Sequence, residues 1–155
     1  MADENVVELE DTRKLDKTVK ALMKLVQQRI KIGIFSANHQ RTDGGNNAQI
    51  GFYHEFGIGH NPQRSFLRTP IQDNLQKQLQ KSGALDKDAL KQMTTEGDMT
   101  LWLEKVAVLM EAIVAEGFNT GGYGKWPASN MDHKKNAQTL VETQQLRNSI
   151  STEVK

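Results

Sequence analysis

GFYHEFGIGHNPQRSFLRTP, residues 51–70, is the stretch of this sequence that decides the fold, and its composition is unusual for a surface loop. It combines two histidines, a glutamate, two arginines and four aromatic residues with glycines and prolines. Such a mixture is typical of active sites and also of protein contact surfaces. The rest of the sequence has to indicate which of the two kinds of site this segment forms.

The first half of this segment fits two secondary structures. Ala48, Phe52 and Phe56 have the spacing of a helix face, whereas Ile50, Phe52 and Phe56 also belong to an alternating pattern that suits a strand. We favour a short helix over residues 48–56. A strand here would add to the small number of strands predicted elsewhere.

The sequence TPIQ, at the end of the segment, marks the start of another predicted helix. Thr69 can cap the helix, Pro70 fits its first position, and Gln72 completes a capping box. Gly83 is expected to end it. A further short helical pattern covers residues 85–93.

Upstream, residues 12–28 predict a helix with Asp11 as its N-cap. One face of this helix has apolar residues at three-and-four spacing: Leu15, Val19, Leu22 and Val26. Another face of the same helix is basic: Arg13, Lys17, Lys20 and Lys24. Residues 30–34, in which isoleucines alternate with other residues, predict a half-buried strand. A polar loop over residues 36–47 follows.

Downstream, residues 99–116 are the best candidate for a central core helix, with Gly117 as its stop. The apolar stripe of this helix is wide: Trp102, Val106, Leu109, Met110, Ile113 and Val114. Residues 118–138 are rich in glycine near their start and predict an extended loop anchored by Trp126. The alternation over residues 146–154 predicts a last strand.

These elements predict an α+β fold, in which a small antiparallel sheet packs against a long core helix and several shorter helices. The length of 155 residues suits one domain over 12–155, preceded by an acidic flexible arm over residues 1–11. Two strands alone are marginally stable and leave hydrogen-bonding edges open. Either residues 48–56 add a strand or neighbouring subunits complete the sheet, so we expect an oligomer.

The composition narrows the class of protein. Hydrophobic residues make up 37% and the mean hydropathy is −0.62, which predicts a modest core and a polar surface. No apolar run approaches the roughly 20 residues that cross a bilayer, so we expect no membrane partner. The chain has no cysteine, which excludes disulfides and thiolate chemistry. A net charge of +1 gives no general attraction to nucleic acid.

No catalytic or cofactor motif is complete. In HEFGIGH, Ile58 stands where a helical zinc-protease motif needs its second histidine. In GGYGKW, Asn119 and Trp126 replace the glycine and the hydroxyl residue of a phosphate-binding loop. We therefore expect no enzyme activity, cofactor or metal. A small hydrolase or metalloprotein using His54 and Glu55 stays open as an alternative.

Nucleic-acid binding is the other alternative. The basic stripe of the first helix could contact phosphates, and Arg64 and Arg68 flank the aromatic Phe66. Aromatic residues amount to only 6%, however, and acidic residues nearly balance basic ones. A basic helix face is more often simply a solvated surface.

The sequence of residues 48–71 carries a resemblance to a known family. It reads A-x-I-G-x-x-H-E-F-G and then P-x-R-x-F-L-R-x-P, and it resembles the virion morphogenesis or tail-completion proteins of tailed bacteriophages. Later features follow in the order of that family: a helix ending near Gly117, a glycine-rich loop with KWP, lysines at 134 and 135, and LVETQQLRNSI. The resemblance spans residues 12–154.

Three positions depart from the family pattern. Gln144 stands where the family usually has glycine, which puts a tight turn there in doubt. Ser65 replaces a proline before Phe66, and Gln63 replaces a small residue. The family has no catalytic group that could be transferred to this chain.

The resemblance implies a structural protein of the phage neck, located in the virion and assembled in the host cytoplasm. Such a tail-completion or tail-terminator-like subunit would form a ring, first as a hexamer and second as a dodecamer. Its partners would be itself, tail tube or terminator proteins, and head-completion or portal adaptor proteins, with DNA only as cargo passing through. The ring would complete the open sheet edges by contacts between neighbours.

Five residues are predicted at subunit or partner interfaces: Glu55, Arg64, Arg68, Tyr123 and Arg147. Arginine and aromatic residues dominate the energetics of protein interfaces. For Glu55, Arg64 and Arg68 we expect side chains that point outward, while the apolar residues between them form the core.

Overall fold

The structure, a computed structural model, describes residues 3–35, 41, 44–96, 99–128 and 144–155. The elements in chain order are α1 (Asp3–Gln27), β1 (Ile30–Ile34), α2 (Asn47–Phe56), α3 (Arg68–Lys81), α4 (Lys87–Glu96), α5 (Thr100–Asn119), α6 (Gln145–Asn148) and β2 (Ile150–Val154). This is the predicted α+β class. The short helix favoured for residues 48–56 is confirmed as α2, so this segment adds no strand.

β1 and β2 form a two-stranded antiparallel sheet, with Ile32 opposite Thr152 at its centre. Beyond the strand ends, the backbones of Arg29 and Lys155 exchange both hydrogen bonds, at 2.6 and 2.9 Å. Along an antiparallel pair of strands, such bonded pairs alternate with non-bonded pairs. The residues of the non-bonded pairs therefore direct their N–H and C=O groups away from the partner strand. These outward-directed residues are Ile30, Ile32 and Ile34 in β1, and Ile150, Thr152 and Val154 in β2.

The main core lies between α5, the sheet and the start of α3. Its fully buried members are Phe66, Val114, Phe118 and Leu146, with isoleucines of both strands packed around them. The predicted central helix is therefore confirmed, although α5 continues to Asn119. Gly117 does not end α5. It is a buried residue of this helix and packs beside Pro70 at the start of α3.

A second, smaller cluster joins α1 to the start of α5. Ala21 is fully buried there with Met99, and Leu25 and Trp102 pack against them. The Trp102 indole N–H donates to the carbonyl oxygen of Ala84 at 2.9 Å. This cluster fixes one side of α1 to the body of the protein.

The apolar helix face identified in the sequence is not the face of α1 that packs on the body. Its four residues are largely exposed: Leu15, Val19, Leu22 and Val26. The face that packs on the body is centred instead on Ala21 and Leu25. Sequence periodicity reports that a helix has an apolar face, but not which chain that face contacts.

The predicted start of α1 is also wrong, because the helix begins at Asp3 and Asp11 is not its N-cap. Residues 3–11 therefore belong to α1. The division of the chain into an arm over 1–11 and a domain over 12–155 stays a prediction.

Other boundaries shift less. β2 begins at Ile150, four residues after the predicted strand start, because residues 145–148 form α6. Gln144 precedes α6 with φ of 53°, in the left-handed region that favours glycine. The turn that the departure at this position put in doubt is thus formed with glutamine. Most of loop 36–47 and residues 129–143 lie outside the described residues.

Candidate functional site

Glu55, at the end of α2, is the centre of the segment formed by residues 51–70. Its side chain is buried, and its carboxylate accepts hydrogen bonds from the backbone N–H groups of Phe66, Leu67 and Arg68 at 2.8, 3.0 and 3.1 Å. It also accepts the hydroxyl of Ser65 at 2.7 Å. Hydrogen bonds to an ionised carboxylate are about twice as strong as neutral ones. One side chain thus holds four consecutive residues.

These bonds begin α3. A helix leaves its first N–H groups without intrahelical partners, and its N-terminus favours negative charge. The predicted cap at Thr69 is wrong, since the N-cap is Leu67 and no side chain of the capping residue serves it. Glu55 supplies the acceptor from 12 residues upstream, and the Ser65 hydroxyl accepts the N–H of Thr69 at 3.0 Å. Serine at this position therefore adds a hydrogen bond that proline could not make.

Gly57 ends α2 and turns the chain back along it. Its φ is 67°, and a Cβ at this position would lie 2.9 Å from the backbone nitrogen of Gln63. The segment that returns along α2 is held by the N–H of Arg64, which donates to the carbonyl of His54 at 2.7 Å. The glycine of HEFG is thus required by the backbone path that brings Glu55 to residues 65–68.

Arg64 is buried, with 4% of its surface exposed. Its guanidinium donates from Nε to the carbonyl of Pro127 at 3.1 Å and from Nη2 to the carbonyl of Ala128 at 2.8 Å. Burial lowers the pKa of Arg64 below its usual value, but arginine stays charged at any physiological pH. This side chain therefore ties the distant 127–128 backbone to the α2–α3 segment.

Trp126 makes the second tie between the same two regions. Its indole N–H donates to the carbonyl of Ser65 at 3.0 Å, and its ring meets Phe118 edge-on at 5.6 Å between centroids. Gly122 faces this ring: its φ is 68°, and a Cβ there would lie 2.2 Å from the indole. The glycine-rich turn therefore wraps closely round Trp126 and contributes to the core.

Arg68, in contrast, is exposed. Its guanidinium carbon lies 5.6 Å from the centroid of Phe56, and Phe56 lies 5.0 Å from Phe52. Both phenylalanines are about half exposed. An arginine over an aromatic ring gains a cation–π interaction, and these residue types are enriched among interface hot spots. Arg68, Phe56 and Phe52 form what we call the aromatic surface cluster.

The two remaining predicted interface residues lie on either side of the end of α5. The Tyr123 hydroxyl donates to the carbonyl of Ile113 at 2.9 Å, and Arg147 donates to the side chain of Asn119 at 3.0 Å. Burial, and then the negative charge of Glu116, raise the pKa of Tyr123 above its ordinary value. Both side chains are partly exposed and remain available to a partner.

A cavity of about 320 Å³ lies between α3 and the glycine-rich turn. Arg68 and Tyr123 line it together with Lys125 and Asp73, which form an exposed ion pair at 2.7 Å. Two of the five predicted interface residues thus share one concave surface. Its lining is mixed in polarity, with Trp126 and Pro70 as its apolar members.

The outward orientation expected for three residues holds for one of them. Arg68 is exposed, whereas Glu55 and Arg64 are buried and already hydrogen-bonded within the chain. That expectation is wrong for Glu55 and Arg64 because a charged side chain can be buried once several polar groups satisfy it. In the sequence, the positions of Glu55 and Arg64 relative to their apolar neighbours do not indicate that these two side chains are buried.

Among the described residues, no group of three or more histidine or carboxylate side chains is arranged to hold a metal ion. Both oxygens of Glu55 already accept hydrogen bonds. No helix among the described residues is long and apolar enough to cross a membrane.

The exposure of the apolar face of α1 is the feature that sequence reasoning missed. The signal was present, since Leu15, Val19, Leu22 and Val26 were recognised as one stripe. A second stripe, centred on Ala21 and Leu25, contacts the body instead. The basic residues of α1 are exposed as well, and their role in nucleic-acid binding stays a prediction.

Comparison with protein-family models, with curated proteins and with solved structures gives no match to this chain.

Proposed function

We propose that this chain is a structural subunit of the neck of a tailed phage, and that it assembles into a ring between the tail tube and the head adaptor. The observation that carries the proposal is a two-stranded sheet whose two outer edges are both unpaired among the described residues. Between these residues no backbone hydrogen bond forms at the outer side of β1 or of β2. Open edges of this kind accept a further strand.

The two edges differ in a way that suits a head-to-tail contact. β1 carries Lys31 on its solvent side, and β2 carries Glu153 at the paired position. If the β1 edge of one copy meets the β2 edge of the next, opposite charges can approach each other. Two identical edges would instead bring like charges together. A head-to-tail contact that closes on itself gives a ring.

The local structure of residues 54–68 supports a structural role. Glu55, Gly57 and Arg64 each have a defined task in building the α2–α3 segment. This accounts for Glu55, Gly57 and Arg64 of the HEFG and R-x-F-L-R motifs without a reaction. It also leaves Arg68 and the aromatic surface cluster as the part of the motif that can contact a neighbour.

A proline at Thr152 is expected to block assembly while the chain still folds. The N–H of Thr152 points away from β1, so Thr152→Pro removes no hydrogen bond of the sheet within the chain. The substitution does remove a hydrogen-bond donor from the outer edge of the sheet. Edge strands tolerate proline, so the chain should still fold. We expect the ring mass, measured by light scattering, to fall to that of single chains or pairs.

The matched control is Thr152→Ala. Both variants lose the hydrogen bond from the Thr152 hydroxyl to Glu111, and only the proline variant also loses the backbone donor. The alanine variant should keep the ring, and circular dichroism should show that both variants are folded. Rings of normal size formed by a folded Thr152→Pro variant would exclude the β2 edge as the contact.

A further inference from the structure

We propose that two copies of this chain pair through the exposed apolar face of α1, with the two helices antiparallel about a two-fold axis. The face consists of Leu15, Val19, Leu22 and Val26, and we call it the α1 seam. Between 41% and 86% of each of these four residues is exposed. Neighbouring Met23 is 65% exposed and widens the seam. An apolar surface of this kind marks an interaction site.

The seam is distinct from the face of α1 that packs on the protein body. With about 100° between successive residues of a helix, the seam is centred about 110° round from the face of Ala21 and Leu25. The basic residues Lys20 and Lys24 lie on the far side, about 150° from the seam. A second helix can therefore approach the seam without displacing Met99 and Trp102 from α1 or meeting the basic stripe.

The spacing of the seam specifies a helical partner of the same kind. Steps of four, three and four residues separate its members, which is the repeat by which two helices interlock side chains. The series reads the same in either direction. In an antiparallel pair, Leu15 therefore faces Val26 of the second copy, and Val19 faces Leu22. Each leucine meets a valine at every level, so one seam is complementary to another.

The charges beside the seam select the antiparallel direction. In a parallel pair, Asp11 of one copy would approach Asp16 of the other, and the acidic residues at positions 3–11 of both copies would lie together. The antiparallel pair separates these acidic ends. It also carries each of them past Gln27 of the other copy, in the direction of Arg29 and Lys31. Attraction between opposite charges thus replaces repulsion between like charges.

This pairing is independent of the proposed phage role. It uses α1, whereas the ring uses the edges of β1 and β2, so the two contacts can be disrupted separately. Where both form, a two-fold pair between head-to-tail rings joins two rings back to back.

Single-cysteine cross-linking tests the pairing directly, because the native chain has no cysteine. Leu15→Cys and Val26→Cys variants are made separately, and one of them carries a tag that changes its size on a gel. They are mixed at high concentration and oxidised. We expect the disulfide-linked dimer of Leu15→Cys with Val26→Cys to form in a proportion well above that given by random collision. Residues 15 and 26 face each other in the antiparallel pair.

Lys17→Cys, on the basic side of the same helix, is the matched control and should give only background dimer. Dimers of Leu15→Cys with itself, in excess over the mixed dimer, would overturn the antiparallel arrangement. Cross-linking of the mixed pair at the level of the control would overturn pairing through the seam altogether.

A second pair of variants tests the same contact without cysteine. Leu22→Glu is expected to raise the dissociation constant of the pair at least about tenfold, because it places a charge in an apolar contact. Lys20→Glu, which is two residues away but outside the seam, should change it far less. Both positions are exposed in the single chain, so the melting temperature of both variants should stay unchanged. Equal dimer formation by both variants, measured by sedimentation, would contradict the proposal.

Discussion

Glu55→Ala is expected to reduce the free energy of unfolding by about 4 kcal/mol. The substitution removes the acceptor of four hydrogen bonds and leaves the N–H groups of Phe66, Leu67 and Arg68 without it. A buried donor without a partner costs about 1–3 kcal/mol. Since whole domains are stable by only about 5–15 kcal/mol, this single change removes a large part of the total. Urea denaturation measures it directly.

Glu104→Ala is the control for this measurement. Glu104 is an exposed glutamate on α5, so its loss should change stability by no more than about 0.5 kcal/mol. Urea midpoints of the two variants therefore separate a general effect of removing a carboxylate from the specific role of Glu55. A loss below about 1 kcal/mol for Glu55→Ala would mean that the carboxylate does not hold the start of α3.

Phe118→Ala is the second change expected to have a large effect, with a loss of about 4 kcal/mol. Phe118 is fully buried, and its ring centroid lies 5.4 Å from that of Phe66, with the rings tilted, and 5.6 Å from that of Trp126, which it meets edge-on. Alanine leaves a cavity where α5, the start of α3 and the glycine-rich turn meet. Beyond the loss of stability, we expect Trp126 fluorescence to shift to longer wavelength, because its ring loses a buried neighbour.

Phe52→Ala provides the matched comparison, since Phe52 is 52% exposed and belongs to the aromatic surface cluster. Its loss should cost less than about 1 kcal/mol of folding stability. If the two phenylalanine variants were equally stable, the core would not be centred on Phe118. If Phe52→Ala lowered assembly but not stability, the aromatic surface cluster would be part of an interface.

Local sequence patterns were enough to predict two elements, β1 and α5. The alternation of Ile30, Ile32 and Ile34 predicted β1, and the wide apolar stripe of residues 99–116 predicted α5 as the core helix. In both cases the apolar residues pack on the chain's own core. The class of fold followed from these two elements and the final strand.

Contacts between residues distant in sequence could not be predicted in this way. Glu55 reaches 11 to 13 residues along the chain to begin α3, and Arg64 reaches more than 60 residues to Pro127 and Ala128. No periodicity links such positions. Sequence reasoning therefore assigned both charged residues to the surface, where isolated charges usually lie, although their partners make burial favourable.

α1 illustrates a different limit. An amphipathic pattern predicts that a helix buries its apolar face, and the nearest candidate was the domain core. The small residue Ala21 lets α1 pack closely on Met99 instead, and this leaves the larger residues of the α1 seam exposed. Choosing between two stripes on one helix requires the positions of the neighbouring helices, which only the folded structure supplies.

The measurement that tests the central claim most directly is the mass of the assembled particle in solution. Light scattering over a range of concentrations would follow the protein alone and then with tail-tube and head-adaptor proteins. The proposed neck role predicts a particle of six times the 17.4 kDa of one chain, or of twelve times in the second choice, alone or with these partners. A mass of one or two chains at every concentration, unchanged by either partner, would contradict it.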